Sequence, residues 1–188
     1  GGAMLPSSIR QVQRLARREI QTITIKELLS RSAHVSTEEH VRHASWIQEQ
    51  LPIRLAHRLS DFLRLPYVNV CNTHIHEAFS LYFRAFEELS SSRRVIDEAS
   101  CGEFFGTLNG LVRSYDNMIY IMQEGYGELK NLFDDLVDLE AFLDQVFITR
   151  IGNRVLAEHF IAVHEARSTG SPGGATGVVQ PKCSPAEI

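Results

Sequence analysis

The sequence predicts an all-α protein: an antiparallel four-helix bundle with a short N-terminal helix and a flexible C-terminal tail. Three observations carry this. Apolar residues recur at helical spacing through nearly all of 24–166. No segment sustains the two-residue alternation of a half-buried strand, and Val178-Val179 is the only later candidate, a short one. Capping residues and breakers cut the periodic stretch into one short element and four long ones.

Thr24 can cap a short helix over 25–32. Ser36 or Thr37 opens the next, with Glu38 and Glu39 set at the positive end of the helix dipole. Leu51, Leu55, Leu59 and Leu63 recur every fourth residue with Phe62 beside them, so one stripe faces a core. Pro52 lies inside this pattern and is expected to bend the helix or leave a carbonyl unpaired. Pro66 ends the helix. Asn72 or Thr73 starts a third, buried through Ile75, Ala78, Phe79, Tyr82, Phe83, Phe86 and Leu89. After a polar break at 90–94, Asp97 starts a fourth. It is expected to run as one helix through Phe104, Phe105, Leu108, Leu111, Val112, Tyr115, Ile119 and Met122 to Gly125 or Gly127. A last pattern begins near Asp135 and continues through Leu139, Phe142, Val146, Phe147, Ile151 and Val155 to Ile161. Four amphipathic helices joined by short connections make an antiparallel bundle.

The organisation that follows has three parts. Residues 1–23 hold what looks like an expression scar, Gly1-Gly2-Ala3, and a basic leader starting at Met4. From Met4 to Arg18 the chain has Arg10, Arg14, Arg17 and Arg18, two serines and no acidic residue. That composition fits a mitochondrial transit segment, and equally a basic first helix of the mature domain. Residues 24–166 are the helical domain. Residues 167–188 are a linker, because 168–177 turns rich in Gly, Ser, Thr and Pro.

Bulk composition narrows the function. A length of 188 residues suffices for one domain with a real core. A net charge of −4 argues against general nucleic-acid binding. No apolar run is long enough to span a bilayer. Cys71, Cys101 and Cys183 are too scattered for a disulfide framework or a zinc motif, which suits a reducing compartment.

Catalytic constellations are not legible. His74 and His76 point about 200° apart on a helix and cannot chelate together. His40 and His43 could share a face, but no Glu-x-x-His pair of a di-metal bundle occurs, so no metal site is expected. No Gly-x-Ser-x-Gly elbow is present, and Gly173-Gly174 lacks the Lys-Ser/Thr of a phosphate loop. No catalytic residue is expected in this chain. One pair stands out. Arg150 and Arg154 share a helical face beside Phe147, Ile151 and Val155. Two planar guanidinium forks beside an apolar stripe can clamp a carboxylate or phosphate. The same spacing fits two arginines snorkelling at a core edge, or pairing with Asp144 or Glu158.

A resemblance bears on this choice. Gln50-Leu51-Pro52-Ile53-Arg54-Leu55-Ala56-His57-Arg58 resembles a segment of the mitochondrial protein kinases that act on the branched-chain 2-oxo-acid and pyruvate dehydrogenase complexes. Leu65-Pro66-Tyr67-Val68 with Cys71-Asn72, and Leu81-Tyr82-Phe83-Arg84-Ala85-Phe86, resemble the loop and helix that follow there. Phe142-Leu143-Asp144 and Thr149-Arg150-Ile151-Gly152-Asn153-Arg154-Val155-Leu156 resemble the last helix of the family's bundle. Cys183-Ser184-Pro185 resembles the connection into its kinase domain. The Ala-His-Arg, Cys-Asn and Val-His-Glu details favour the branched-chain branch over the pyruvate branch.

The resemblance implies an N-terminal regulatory bundle, followed in the whole kinase by a Mg-ATP-binding domain. No cofactor is expected in the bundle itself. It implies a matrix-located kinase, usually a homodimer, that phosphorylates serines on the decarboxylase component and docks on the lipoyl-bearing core. It implies a site in the bundle for small 2-oxo-acid effectors, with Arg150 and Arg154 on the carboxylate and Leu55, Tyr82 and Leu111 in the wall. The family's pocket histidine falls on Tyr115, whose phenol can donate a hydrogen bond but carries no positive charge at neutral pH. The competing expectation is a stand-alone helical interaction module with no catalytic activity.

Overall fold

The structure is a computed structural model that describes residues 7–31, 36–66, 71–115, 117–130, 137–169 and 177–179. These residues form helices α1 (Ser7–Leu15), α2 (Ile25–Ser30), α3 (Thr37–Phe62), α4 (Thr73–Ser91), α5 (Glu98–Ser114), α6 (Met118–Lys130) and α7 (Val137–Thr169), with no strand among the described residues. The protein is an all-α bundle, and no described helix is long and apolar enough to cross a membrane.

The caps work as the side chains dictate. Thr24 and Glu27 form a reciprocal capping box on α2, Ser36 and Glu39 form another on α3, and Asp97 and Ser100 a third on α5. The Asn72 side chain accepts from the amides of His74 and Ile75 to start α4. Each cap satisfies amides that have no intrahelical partner.

Helix α3 is the spine. It packs against α1, α4, α5 and α7, and its core face carries Ile47, Leu51, Leu55, Leu59 and Phe62. Pro52 is buried within α3 and does not terminate it. Pairings along the helices fix their directions. His40 of α3 meets His164 of α7, while Phe62 at the other end meets Phe142. Phe62 also meets Phe79 of α4, while Gln48 reaches Ser92 past the end of α4. Helices α4 and α7 therefore both run antiparallel to α3. The central aromatic is Phe160, fully buried against His40, His43 and Phe104.

Two features depart from the sequence reading. The expected fourth helix is two helices, α5 and α6, parted around Tyr115. Ser, Asp and Asn cluster at 114–117, and such side chains compete for backbone groups; Ser114 Oγ indeed donates to the Leu111 carbonyl. The last helix runs on to Thr169, beyond the expected domain edge at 166. Within the basic leader, where the sequence left a first helix of the domain open, α1 buries Val12 against the bundle. The connection after α1 is stitched to α3, since Gln50 accepts from the Gln21 amide, Arg54 donates to the Gln21 carbonyl, and Arg18 pairs with Glu49 at 2.6 Å. The scar at 1–3, Met4, Ser32, the start of the last pattern near Asp135, the Tyr67-Val68 loop, Gly173-Gly174 and Cys183-Ser184-Pro185 lie outside the described residues.

Candidate functional site

A cavity of about 100 Å³ opens where α3, α4, α5 and α7 meet. Its wall is formed by Leu51 and Leu55 from α3, Ala85 and Leu89 from α4, Leu108, Leu111 and Val112 from α5, and Ala157 from α7. Its polar part is Tyr82, Tyr115, Arg150, Asn153 and Arg154. All six residues singled out in the sequence, Arg150, Arg154, Leu55, Tyr82, Leu111 and Tyr115, line this one space. They come from four helices separated by up to about a hundred positions, so only the bundle brings them together.

The helical repeat places the polar end. Arg150, Asn153, Arg154 and Ala157 are spaced i, i+3, i+4 and i+7, one face of α7. Arg150 is half-buried, and its Nη2 donates to the Tyr115 carbonyl at 2.5 Å. Arg154 is more exposed, and its Nε donates to Glu158 Oε1 at 2.7 Å. The pairing with Glu158 that the sequence left open is thus present. No carboxylate lines the cavity among the described residues, and Glu158 meets Arg154 at its edge.

The tyrosines play different parts. Tyr82 is almost wholly buried, and burial pushes its phenol up to about 12, against the smaller opposing pull of Arg150 and Arg58. Burial also pushes the Tyr115 phenol well above its ordinary range. The Tyr115 hydroxyl donates to the Leu81 carbonyl. The expectation that this phenol would donate to a ligand therefore meets a competitor: its proton is already engaged by the backbone of α4.

Sequence reasoning passed over Asn153, whose side-chain oxygen is buried without a hydrogen-bond partner among the described residues. A buried amide oxygen left unpaired is costly, and it marks a place where a ligand proton or water can be accepted. Its spacing from Arg150 was the available signal. Leu51, Leu89, Leu108, Val112 and Ala157 were read as core or not at all, because an apolar residue facing a cavity carries the same pattern as one facing a neighbour.

Comparison with known proteins agrees with this architecture. A family model described as mitochondrial branched-chain alpha-ketoacid dehydrogenase kinase matches residues 22–180. The mitochondrial pyruvate dehydrogenase (acetyl-transferring) kinase isozyme 4 of Rhinolophus ferrumequinum is 25% identical over 95% of this chain and 44% of its own length. The human isozyme 4 is 24% identical over 97% of this chain and 44% of its own. The mitochondrial pyruvate dehydrogenase kinase of Arabidopsis thaliana is 24% identical over 77% of this chain and 39% of its own. The chain spans less than half the length of these curated relatives. With most of its length matched, including every helix that lines the cavity, the chain belongs to the mitochondrial branched-chain alpha-ketoacid dehydrogenase kinase family.

Proposed function

We propose that residues 24–166 are the N-terminal allosteric and docking domain of a protein serine kinase of the mitochondrial matrix. In this reading 167–188 leads toward a Mg-ATP-binding domain. The parent kinase, a homodimer, phosphorylates and inactivates a 2-oxo-acid dehydrogenase complex, with the decarboxylase component as substrate and the lipoyl-bearing core as dock. The cavity binds a small 2-oxo acid that regulates this activity.

The observation behind the reading is the composition of the cavity: two guanidiniums at one end, an apolar wall at the other, and no lining carboxylate among the described residues. A 2-oxo acid has the matching polarity. Its carboxylate faces Arg150 and Arg154, and its side chain faces Leu55, Leu108 and Leu111. The carboxylate competes with Glu158 for Arg154 and with the Tyr115 carbonyl for Arg150. Exchange of these partners shifts α7 relative to α5, a population shift that other parts of the kinase can sense. The apolar wall of Leu51, Leu55, Leu108 and Leu111 offers a branched side chain contacts that the methyl of pyruvate would not use, which is the ground for preferring the branched-chain branch.

Calorimetry with 4-methyl-2-oxopentanoate and with pyruvate tests this. Tighter binding of the branched acid is expected, and Arg154→Ala should weaken it roughly ten- to hundredfold, the effect of one charge-assisted hydrogen bond. Equal affinity in wild type and Arg154→Ala sinks the clamp.

A second reading, an interaction module without catalytic partners, draws on Ile148 and Ile151, which are 63% and 64% exposed one turn apart on α7. Binding of an isolated lipoyl domain that is lost in Ile148→Asp, with no 2-oxo-acid binding in wild type, would favour it.

A further inference from the structure

A second cluster lies away from the cavity, near the start of α3 and the end of α7. His40 of α3, Cys101 of α5 and His164 of α7 bring one ligand atom each to within 4.8 Å of one another. His40 and Cys101 are buried and His164 is half-buried. We propose that these three residues form a zinc site. It is independent of the 2-oxo-acid reading.

The geometry suits the ion. Zinc takes thiolate sulfur at about 2.3 Å and imidazole nitrogen at about 2.0–2.1 Å, so tetrahedral ligand atoms stand roughly 3.3–3.6 Å apart. His40 Nε2 and His164 Nδ1 are 2.9 Å apart, and the thiol lies within 4.8 Å, so the present spread brackets what zinc needs. Shifts well under a side-chain rotamer change suffice. The rings are already held: His40 stacks on Phe160 with an interplanar angle of 9°, and His164 stacks on Phe105 at 21°. Rigid ligands on three separate helices are how a protein orients a metal in advance.

The contact between the imidazoles places at most one hydrogen between the two nitrogens, so one already presents a lone pair. The other ring nitrogen, His40 Nδ1, is buried with no partner among the described residues, so it can carry the ring hydrogen when Nε2 turns to the metal. On binding, the thiol proton goes to solvent and the hydrogen between the rings moves to another ring nitrogen as the tautomer changes. Zinc with one thiolate carries a net charge of +1. Arg167, which donates to Thr37, opposes that charge, and Glu98 balances it. Glu98 precedes Cys101 by one helical turn and is exposed. A water takes the fourth position, entering on the side of the half-buried His164.

Local spacing in the sequence could not reveal this site. His40, Cys101 and His164 share no motif, and the fold alone assembles them.

The test uses the full chain, reduced with a phosphine and freed of metal with a chelator. Zinc is titrated in competition with a chromophoric chelator, and cobalt(II) serves as the spectroscopic probe. One equivalent of cobalt should bind with a thiolate charge-transfer band and tetrahedral ligand-field bands, and zinc should raise Tm. Cys101→Ser should abolish the charge-transfer band. His164→Gln should weaken zinc at least tenfold, and Cys71→Ser should change nothing. Absence of a cobalt band in wild type overturns the site. So does a band that survives Cys101→Ser but disappears in Cys71→Ser or Cys183→Ser. Should Cys101→Ser fail to fold, His164→Gln decides at its half-exposed position: unchanged zinc affinity in that folded variant also overturns the proposal.

Discussion

Arg150 Nη2 donates to the backbone carbonyl of Tyr115 at 2.5 Å, so one guanidinium both lines the cavity and closes the C-terminal end of α5. Carbonyls at a helix end lack intrahelical donors, and a cation there also meets the negative end of the helix dipole. Structural and ligand-binding roles are joined in this side chain.

Arg150→Ala should therefore cost stability as well as ligand affinity. Loss of a charge-assisted hydrogen bond is worth about 1.5–3 kcal/mol. For a domain of this size that lowers Tm on the order of 3–10 °C. Arg150→Lys keeps the charge without the planar fork, and should recover most of the Tm but less of the 2-oxo-acid affinity. Thermal unfolding and calorimetry on the same samples separate the two.

Tyr115 offers a different split. Tyr115→Phe removes its hydrogen bond to Leu81 and should destabilise by about 1 kcal/mol, with ligand affinity changed less than twofold. Tyr115→His places a titratable group beside Arg150, where burial and the guanidinium both disfavour its charged form, so affinity for a carboxylate should rise only as pH falls below the ordinary imidazole range near roughly 6.5. A pH-independent affinity in that variant would mean the side chain faces away from the bound acid.

Acid should destabilise the bundle from one end. Burial pulls His43 down to about 3, helped by the nearby Arg31, His159 and His40, and both ring nitrogens are buried without partners among the described residues. Burial also lowers His159. The unfolded chain binds protons near pH 6.5 while the folded chain resists them, so the unfolded state holds more protons and stability rises with pH. The contribution is complete above about pH 6.5 and lost progressively down to about pH 3. Urea unfolding of metal-free protein should show a falling midpoint between pH 7.5 and 5. His43→Phe, which retains a ring between Trp46 and Phe160, should flatten that slope.

Two glycines of α6 should respond oppositely to alanine. A Cβ at Gly125 would stand 3.1 Å from Asn72 Oδ1, 3.1 Å from His74 Cβ and 3.2 Å from Ile75 Cδ1. The Asn72 oxygen is held by its cap bonds and His74 Cβ is fixed to the backbone, so neither yields easily. Gly125→Ala should lose more to this crowding than the ~1 kcal/mol of helix propensity it gains, for a net loss of about 1 kcal/mol or more. A Cβ at Gly127 would meet no described atom within 4 Å beyond its chain neighbours and its own helix backbone, and Gly127→Ala should stabilise by up to about 1 kcal/mol. Chemical denaturation of the two variants checks both signs.

The legibility of this fold followed from how local each signal is. Thr24, Ser36, Asn72 and Asp97 act on amides within three residues, and all four cap where the sequence placed them. The parting of α5 from α6 was missed because apolar spacing continues from Tyr115 through Ile119, and the polar run 114–117 was given too little weight. At the cavity, the guanidinium pair was visible as a spacing, and its wall came from resemblance. Asn153 was not, because an amide within a helix has no pattern until its neighbours are known. The helix α1 stood in the sequence as one of two readings, because Val12 within a run of arginines does not decide between a transit segment and a packed helix.

Pro52 has a consequence for how α3 moves. The helix has 26 residues, roughly 39 Å at 1.5 Å per residue, and one rung of its ladder is absent, because proline gives no amide to the carbonyl four positions earlier. That gap falls beside Leu51 and Leu55, at the level of the cavity. The spine thus has a joint at Pro52, where one rung is absent, between a part that begins at Thr37 and a part that ends at Phe62. Amide exchange should divide at this joint, the two halves opening as separate cooperative units.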